Sequence, residues 1–227
     1  GAETAWRHVL PTGTASGIVA AMRGVSGHFA VGLRLPAGQT LIAVDRFATL
    51  PLCYRIDQGK LQFGSRADEL ADSDTSIDPQ AIFDYLYFHV IPSPRTIYQE
   101  IFRLPAGHFA LFDGGKLTVA PYWTPAFVEA RNPSFEALKA EFKGLLKDAV
   151  AAQLDGSKPA CFLSGGTDSS TVAGMVAQSG DRQVATYSIG FDAQGYDEME
   201  FARLAARHFK AEHHEYYVTP ADLVRSI

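Results

Sequence analysis

The sequence predicts a mixed α/β protein in two parts, an antiparallel β-rich (α+β) region followed by the start of a parallel α/β domain. Three observations carry this expectation. Short β-prone runs separated by Gly, Pro, Gln and Asp fill residues 24–66. From residue 160 onward strand and helix patterns alternate, which argues for parallel strands joined by crossover helices. That second region opens on "ACFLSGGTDSSTVAGMV", residues 160–176, where an apolar strand meets a helix through paired glycines.

The chain has 227 residues, 47% hydrophobic and 20% charged, which is enough apolar material for a hydrophobic core. Its net charge is −5, with the acidic excess falling after residue 75, and no Lys/Arg cluster stands out. Nucleic acid is therefore not expected as a partner. Cys53 and Cys161 lie far apart, match no metal-ligand spacing and sit in apolar strand patterns, so both are read as reduced core residues. No apolar run reaches the ~20 residues that span a bilayer, and no signal peptide is recognised at the start. The expectation is no membrane and a cytoplasmic location.

In chain order, "GVSGHFAVGLRL", "QTLIAVDRF", "LPLCYRI" and "KLQFGSR" read as the strands of an antiparallel meander. The polar "ADSDTS" follows, then Asp78-Pro79, a cap with proline at the first helical position, which announces the helix "QAIFDYLYFHV". A domain boundary is placed near residue 76, dividing the chain into 1–76 and 77–227. Two further strands, 107–112 and 116–122, flank Asp113-Gly114-Gly115, a hairpin signal. "NPSFEALKAEFKGLLKDAVAAQL" places Phe135, Leu138, Phe142, Leu145, Ala149 and Ala152 on one stripe, predicting a helix packed by that face. Strand (160–164), helix (168–179), strand (183–189), helix (197–210) and strand (213–218) follow, with Thr219 and Pro220 opening another helix.

The run Ala160 to Leu163 is apolar without alternation, as in a strand covered on both faces. In Ser164-Gly165-Gly166-Thr167-Asp168-Ser169-Ser170, paired glycines let backbone N–H groups approach a ligand and the next helix adds its positive end. This suits a diphosphate. A Walker loop requires a lysine after its second glycine and a dinucleotide loop requires G-x-G-x-x-G, and neither is present. Asp168 beside phosphates requires an intervening cation, for which Mg²⁺ is the natural choice. Ile189, ending the next strand, is placed to meet a base. Asp197 and Glu200 read as a capping box, with Phe201, Leu204, Ala205 and His208 on one face. His213 and His214 alternate faces of a strand, one packed and one solvated.

S-G-G-x-D-S resembles the loop of ATP-pyrophosphatases. With "YSIGF" and "YDEMEFARLAARHFKAEHHE" downstream, the chain resembles the synthetase domain of the glutamine-hydrolysing asparagine synthetases. Upstream, "GVSGHFAVGL", "DRFATLPLCYRI" and "IYQEIFRLPAGHFALFDGGKLTVAPYW" are similar to the same family's class II glutamine amidotransferase end. The resemblance implies part of an Ntn-type domain followed by a doubly wound ATP-pyrophosphatase domain. It implies an amide ligase that adenylates aspartate with ATP, releases pyrophosphate and admits ammonia. Relatives that close β-lactam or lasso-peptide rings, and a degenerate nucleotide-binding member, are the alternatives. By motif match, Leu163, Ser164, Gly165, Gly166, Asp168, Ser169 and Ile189 are carried over as nucleotide contacts, with Asp168 the metal ligand. ATP and Mg²⁺ are the implied cofactors, and ATP, a carboxylate and ammonia or glutamine the implied partners, with homodimerisation left open. No catalytic residue is assigned. The family's amino-terminal cysteine has no counterpart, Ala48 stands where the family favours glycine and Arg66 where an acid is usual. A second glycine-rich loop, a further metal-binding acid and a catalytic lysine are expected beyond Ile227.

Overall fold

The computed structural model describes residues 6, 14–129, 134–179, 183–191 and 198–226. The chain divides into two compact units, Gly1–Val128 and Glu129–Ile227. Among the described residues no helix is long and apolar enough to cross a membrane.

The first unit is built on a four-stranded antiparallel sheet of β1 (Ala30–Arg34), β2 (Thr40–Val44), β6 (His108–Asp113) and β7 (Lys116–Pro121), in the order β1-β2-β6-β7. β2 is central and apolar on both faces, and its two faces enter different cores. Leu41 and Ala43 pack with Trp6, with Ile18 and Met22 of α1 (Ala15–Arg23), and with Phe109 and Tyr122. Ile42 and Val44 pack with Leu52, Tyr54, Leu104 and Ala110. That second core joins the sheet to a three-stranded one, β4 (Lys60–Gly64), β3 (Cys53–Asp57) and β5 (Phe102–Arg103). The runs that read as one meander are thus shared between two stacked sheets. Gly32 of β1 shows how tightly they stack: a Cβ there would lie 2.5 Å from the Phe63 ring of β4.

The hairpin between β6 and β7 turns through Gly114 and Gly115, both at positive φ (53° and 89°), as a two-residue turn with that twist demands. α2 (Pro79–Phe88) starts at the expected cap, where Gln80 N–H donates to Asp78 Oδ1 at 2.9 Å. The boundary expected near residue 76 falls inside this first unit. β6, at residues 108–113, pairs with β2 and so ties the chain beyond α2 into the first sheet. Ala48 has φ 49°, a left-handed conformation that costs an alanine strain a glycine would not feel. Arg66 forms a two-pronged pair with its neighbour Asp68. Cys53 is buried and Cys161 half-buried, both free.

The second unit carries a three-stranded parallel sheet, β8 (Ala160–Phe162), β9 (Ala185–Phe191) and β10 (Glu212–Val218), ordered β10-β9-β8. α4 (Thr167–Ser179) follows β8 and α5 (Met199–His208) follows β9, and together they cover one face. Leu163, Ala173, Met199, Ala202 and Ala206 form the core there. Small residues let α5 approach closely, so its buried face is Met199, Ala202 and Ala206. Of the residues read as sharing one face, Phe201 and Leu204 are exposed. The cap lies at Glu198 without a side-chain bond, and the expected partner of Glu200, Asp197, lies outside the described residues.

α3 (Phe135–Ala151) is capped by Ser134, whose Oγ accepts from Ala137 N–H at 3.1 Å. The helix lies beside α4, yet the stripe expected to bury it is exposed at Phe135, Leu138, Phe142 and Leu145. The face of the parallel sheet opposite α4 and α5 is also open. Phe162, Tyr187, Ile189 and Tyr216 are exposed on it and line, with His214, a hollow of about 470 Å³. α6 (Pro220–Arg225) follows β10.

Candidate functional site

β8 ends at Phe162 because the chain turns into the glycine loop, and the next backbone bond, Leu163 N–H to the Tyr187 carbonyl at 2.9 Å, is the last link to β9. The loop then folds on its own hydroxyls. Ser164 N–H donates to Ser169 Oγ at 3.2 Å, the two hydroxyls lie 3.0 Å apart, and Gly166 N–H reaches Ser164 Oγ at 3.4 Å. Ser170 N–H makes the first helical bond, to Gly166 O at 3.1 Å.

Gly165 is the residue this loop cannot replace. Its φ is +84°, and a Cβ there would lie 2.4 Å from Ala202 N and 2.5 Å from the Phe201 carbonyl carbon. The loop therefore rests directly on the backbone of α5's first turn. Gly166 faces only the Ser164 hydroxyl, at 3.4 Å from a built Cβ.

Among the described residues, the N–H groups of Thr167, Asp168 and Ser169 meet no acceptor. They are the orphan donors of a helix N-terminus, backed by the positive end of its dipole. Asp168 is exposed in that first turn, and among the described residues its carboxylate makes no hydrogen bond or ion pair. No group of three or more His, Cys, Asp or Glu side chains among the described residues could hold a metal ion by itself. One free carboxylate beside an anion cradle nevertheless fits Mg²⁺, which commonly takes one or two protein carboxylates and completes its shell with phosphate oxygens and water.

Ser164, Gly165, Gly166, Asp168 and Ser169 thus come together in one loop and one helical turn. The other two predicted contacts stand apart. Leu163 is 1% exposed, its side chain spent in the core beneath α4 and α5, so only its backbone can serve a ligand. Ile189 lies on the opposite face of the sheet and is 55% exposed, lining the open hollow. Its backbone is the better candidate. In a parallel strand alternate peptide groups face the same neighbour, and Tyr187 faces β8. Ile189 faces that side too, where β8 has already left.

His213 and His214 point to opposite faces, as their spacing predicts. His213 Nδ1 lies 2.9 Å from Thr186 Oγ1, and burial pushes its pKa down while Glu215 opposes the shift. His214 stacks on Tyr187 at 4.7 Å on the open face. A residue missed in the sequence is Ser188, buried under α4 and α5, whose hydroxyl donates to the Leu163 carbonyl. No spacing signal marked it.

The profile of a glutamine amidotransferase domain matches residues 9–123, half of the chain, and that of asparagine synthase matches residues 141–227. The chain belongs to the asparagine synthetase family. Within this family member the two matched segments fall in the two compact units, with the glutamine amidotransferase part first. It is 33% identical over 187 residues to a putative glutamine-hydrolysing asparagine synthetase 2 of Methanocaldococcus jannaschii, covering 78% of this chain and 36% of that protein. It is 27% identical over 189 residues to asparagine synthetase 1 of Bacillus subtilis, covering 82% and 30%. It is 28% identical over 211 residues to carboxyethyl-arginine beta-lactam-synthase of Streptomyces clavuligerus, covering 91% and 38%. The chain therefore spans about a third of the length of these relatives.

Proposed function

We propose that this chain is the amidotransferase-to-synthetase segment of an ATP-dependent amide ligase that activates aspartate as its acyl-adenylate. A carboxylate is a poor electrophile because its oxygen is a poor leaving group. In the proposed reaction the carboxylate oxygen bonds to the α-phosphorus of ATP, the α–β bridging bond breaks and pyrophosphate departs. Ammonia, free or drawn from glutamine, then bonds to the acyl carbon, AMP leaves with the electron pair, and the new nitrogen gives up one proton to solvent.

The observation that supports this reading is the unfilled set of donors at the start of α4: among the described residues, three N–H groups without acceptors lie beside a carboxylate without a partner. Negative charge grows on the departing pyrophosphate, and fixed N–H donors already aimed at it lower the barrier without reorganising. Ser164 and Ser169 add hydroxyl donors that exchange their mutual bond for phosphate oxygens. Asp168 would hold Mg²⁺, which when bound neutralises phosphate charge. Ile189 offers a free backbone edge to the base, and Leu163 a backbone contact.

On this reading the parallel sheet begins a doubly wound ATP-pyrophosphatase domain, and the first unit is part of an Ntn-type domain. Cys53 is no candidate for a glutaminase nucleophile, since it is 3% exposed and burial pushes its thiol up. The similarity to a β-lactam synthase over 91% of this chain supports a second reading with a different carboxylate.

Exchange of labelled pyrophosphate into ATP by the complete protein tests the proposal. Aspartate-dependent exchange is the expected outcome. Exchange with another carboxylate and none with aspartate would favour the second reading, and no exchange with any carboxylate would end both.

A further inference from the structure

Ser188 sits where β8 leaves the sheet. The β8–β9 ladder runs to Phe162 opposite Tyr187 and closes with Leu163 N–H on the Tyr187 carbonyl. One more step of the same ladder would bring Ile189 N–H to the Leu163 carbonyl. That carbonyl instead accepts from the Ser188 hydroxyl, a buried side chain reaching across from the neighbouring strand. The next residue, Ser164, already belongs to the cradle, its N–H held by Ser169.

We infer that Ser188 is a positioning residue for nucleotide binding, an assignment that rests on the nucleotide reading above. Its hydroxyl satisfies the Leu163 carbonyl, so the chain turns away from β9 into the cradle and the Ile189 N–H stays open on the side β8 has left. Without the hydroxyl the carbonyl is buried and unpaired, which is unfavourable. The nearest remedy is to extend the ladder by one bond. That step would draw Leu163 and Ser164 toward β9 and occupy the Ile189 N–H at the same time. One hydroxyl thereby sets both the start of the phosphate loop and the availability of a backbone donor.

The test compares the complete protein with its Ser188→Ala and Ser188→Thr variants in two measurements: calorimetric titration with Mg²⁺-ATP, and amide hydrogen exchange at Ile189. The alanine variant is expected to bind about tenfold more weakly and the threonine variant, which keeps the hydroxyl, within about threefold of the parent. Ile189 exchange is expected to slow in the alanine variant alone, as the extra ladder bond forms. A merely structural loss of stability would speed exchange, not slow it. Unchanged exchange at Ile189, or unchanged affinity in a parent that binds, overturns the inference. A parent that binds no Mg²⁺-ATP sinks the nucleotide reading, while the exchange measurement still decides whether Ser188 diverts the ladder. Should the alanine variant fail to fold, Ser188→Cys, a similar side chain with a weak donor, gives the same comparison.

Discussion

Asp45 and Asp168 both follow or precede a turn at the end of a strand, one in each compact unit, and the protein uses them in opposite ways. Asp45 is 4% exposed and its oxygens accept from Phe29 N–H at 3.2 Å, Phe47 N–H at 3.0 Å, Thr49 N–H at 3.1 Å and Thr49 Oγ1 at 3.1 Å. Its own backbone N–H and carbonyl also bond, to Phe29 and Gly107. Its carboxylate is spent on holding the start of β1 and the 46–49 turn to the end of β2. Asp168 is exposed and, among the described residues, spends nothing. A satisfied buried carboxylate stabilises the fold and is closed to a ligand, whereas an exposed free one contributes little to stability and is available.

The larger test of this contrast lies at Asp45. Replacing it by alanine leaves the part-buried N–H groups of Phe29, Phe47 and Thr49 without their acceptor, and the first unit should lose roughly 2–3 kcal/mol. Both tryptophans, Trp6 and Trp123, belong to that unit, so a urea titration followed by tryptophan fluorescence reads it selectively. pH gives a second reading. Burial pushes the Asp45 carboxyl up, but the N–H donors of Phe47, Thr49 and Phe29 outweigh burial and hold it below the ordinary carboxylate range. A carboxylate whose folded pKa is depressed stabilises fully above its unfolded value and loses that contribution as pH falls through the folded one. The parent should therefore lose stability on acidification below the ordinary carboxylate range, and the alanine variant should lose less over the same window. A midpoint equal to the parent's at neutral pH would show that the network is idle.

At Asp168 the expected effect is smaller and of another kind. Asp168→Ala should weaken Mg²⁺-ATP binding about tenfold, some 1.4 kcal/mol, with stability changed by less than about 0.5 kcal/mol. Titration with ATP in the presence and absence of Mg²⁺ separates the metal's share. An equal loss of affinity in both conditions would assign Asp168 to something other than the cation.

What is legible in the sequence follows the same division between local and distant causes. The Asp78 cap, the Gly114-Gly115 hairpin and the Ser164–Ser169 loop are each set by residues within a few positions, and each stands as the sequence reads. The domain boundary near 76 rested on the cap of α2, which marks a helix and says nothing of partners. Long-range pairing of β6 with β2 decided where the unit ends. The buried face of α5 was hidden for a similar reason. The sequence places Phe201, Leu204, Ala205 and His208 on one face, whereas the close approach of Gly165 to the Phe201–Ala202 backbone accompanies a buried face of Met199, Ala202 and Ala206. Ser188 was illegible because its role exists only once β8 has left the sheet.

The smallest expected effect sharpens the comparison by failing to resemble a core mutation. Phe109 and Phe162 are both strand phenylalanines, one from each unit, but Phe109 is fully buried between α1 and the first sheet while Phe162 is 80% exposed on the open face of the second. A buried phenylalanine truncated to alanine typically costs about 3–5 kcal/mol, because contacts are lost and a cavity remains. Phe162→Ala leaves no cavity and removes little packed surface, so the second unit should change by less than about 0.5 kcal/mol. Amide hydrogen exchange at Tyr187 and Thr186 of β9 measures this directly. A loss near that of a core residue would mean the open face is covered in solution, and sedimentation of the parent chain across a concentration series would then show whether a second copy covers it. Unchanged exchange would leave the parallel sheet as a layer complete on the α4–α5 side and structurally indifferent, within this chain, to the side that Ile189 lines.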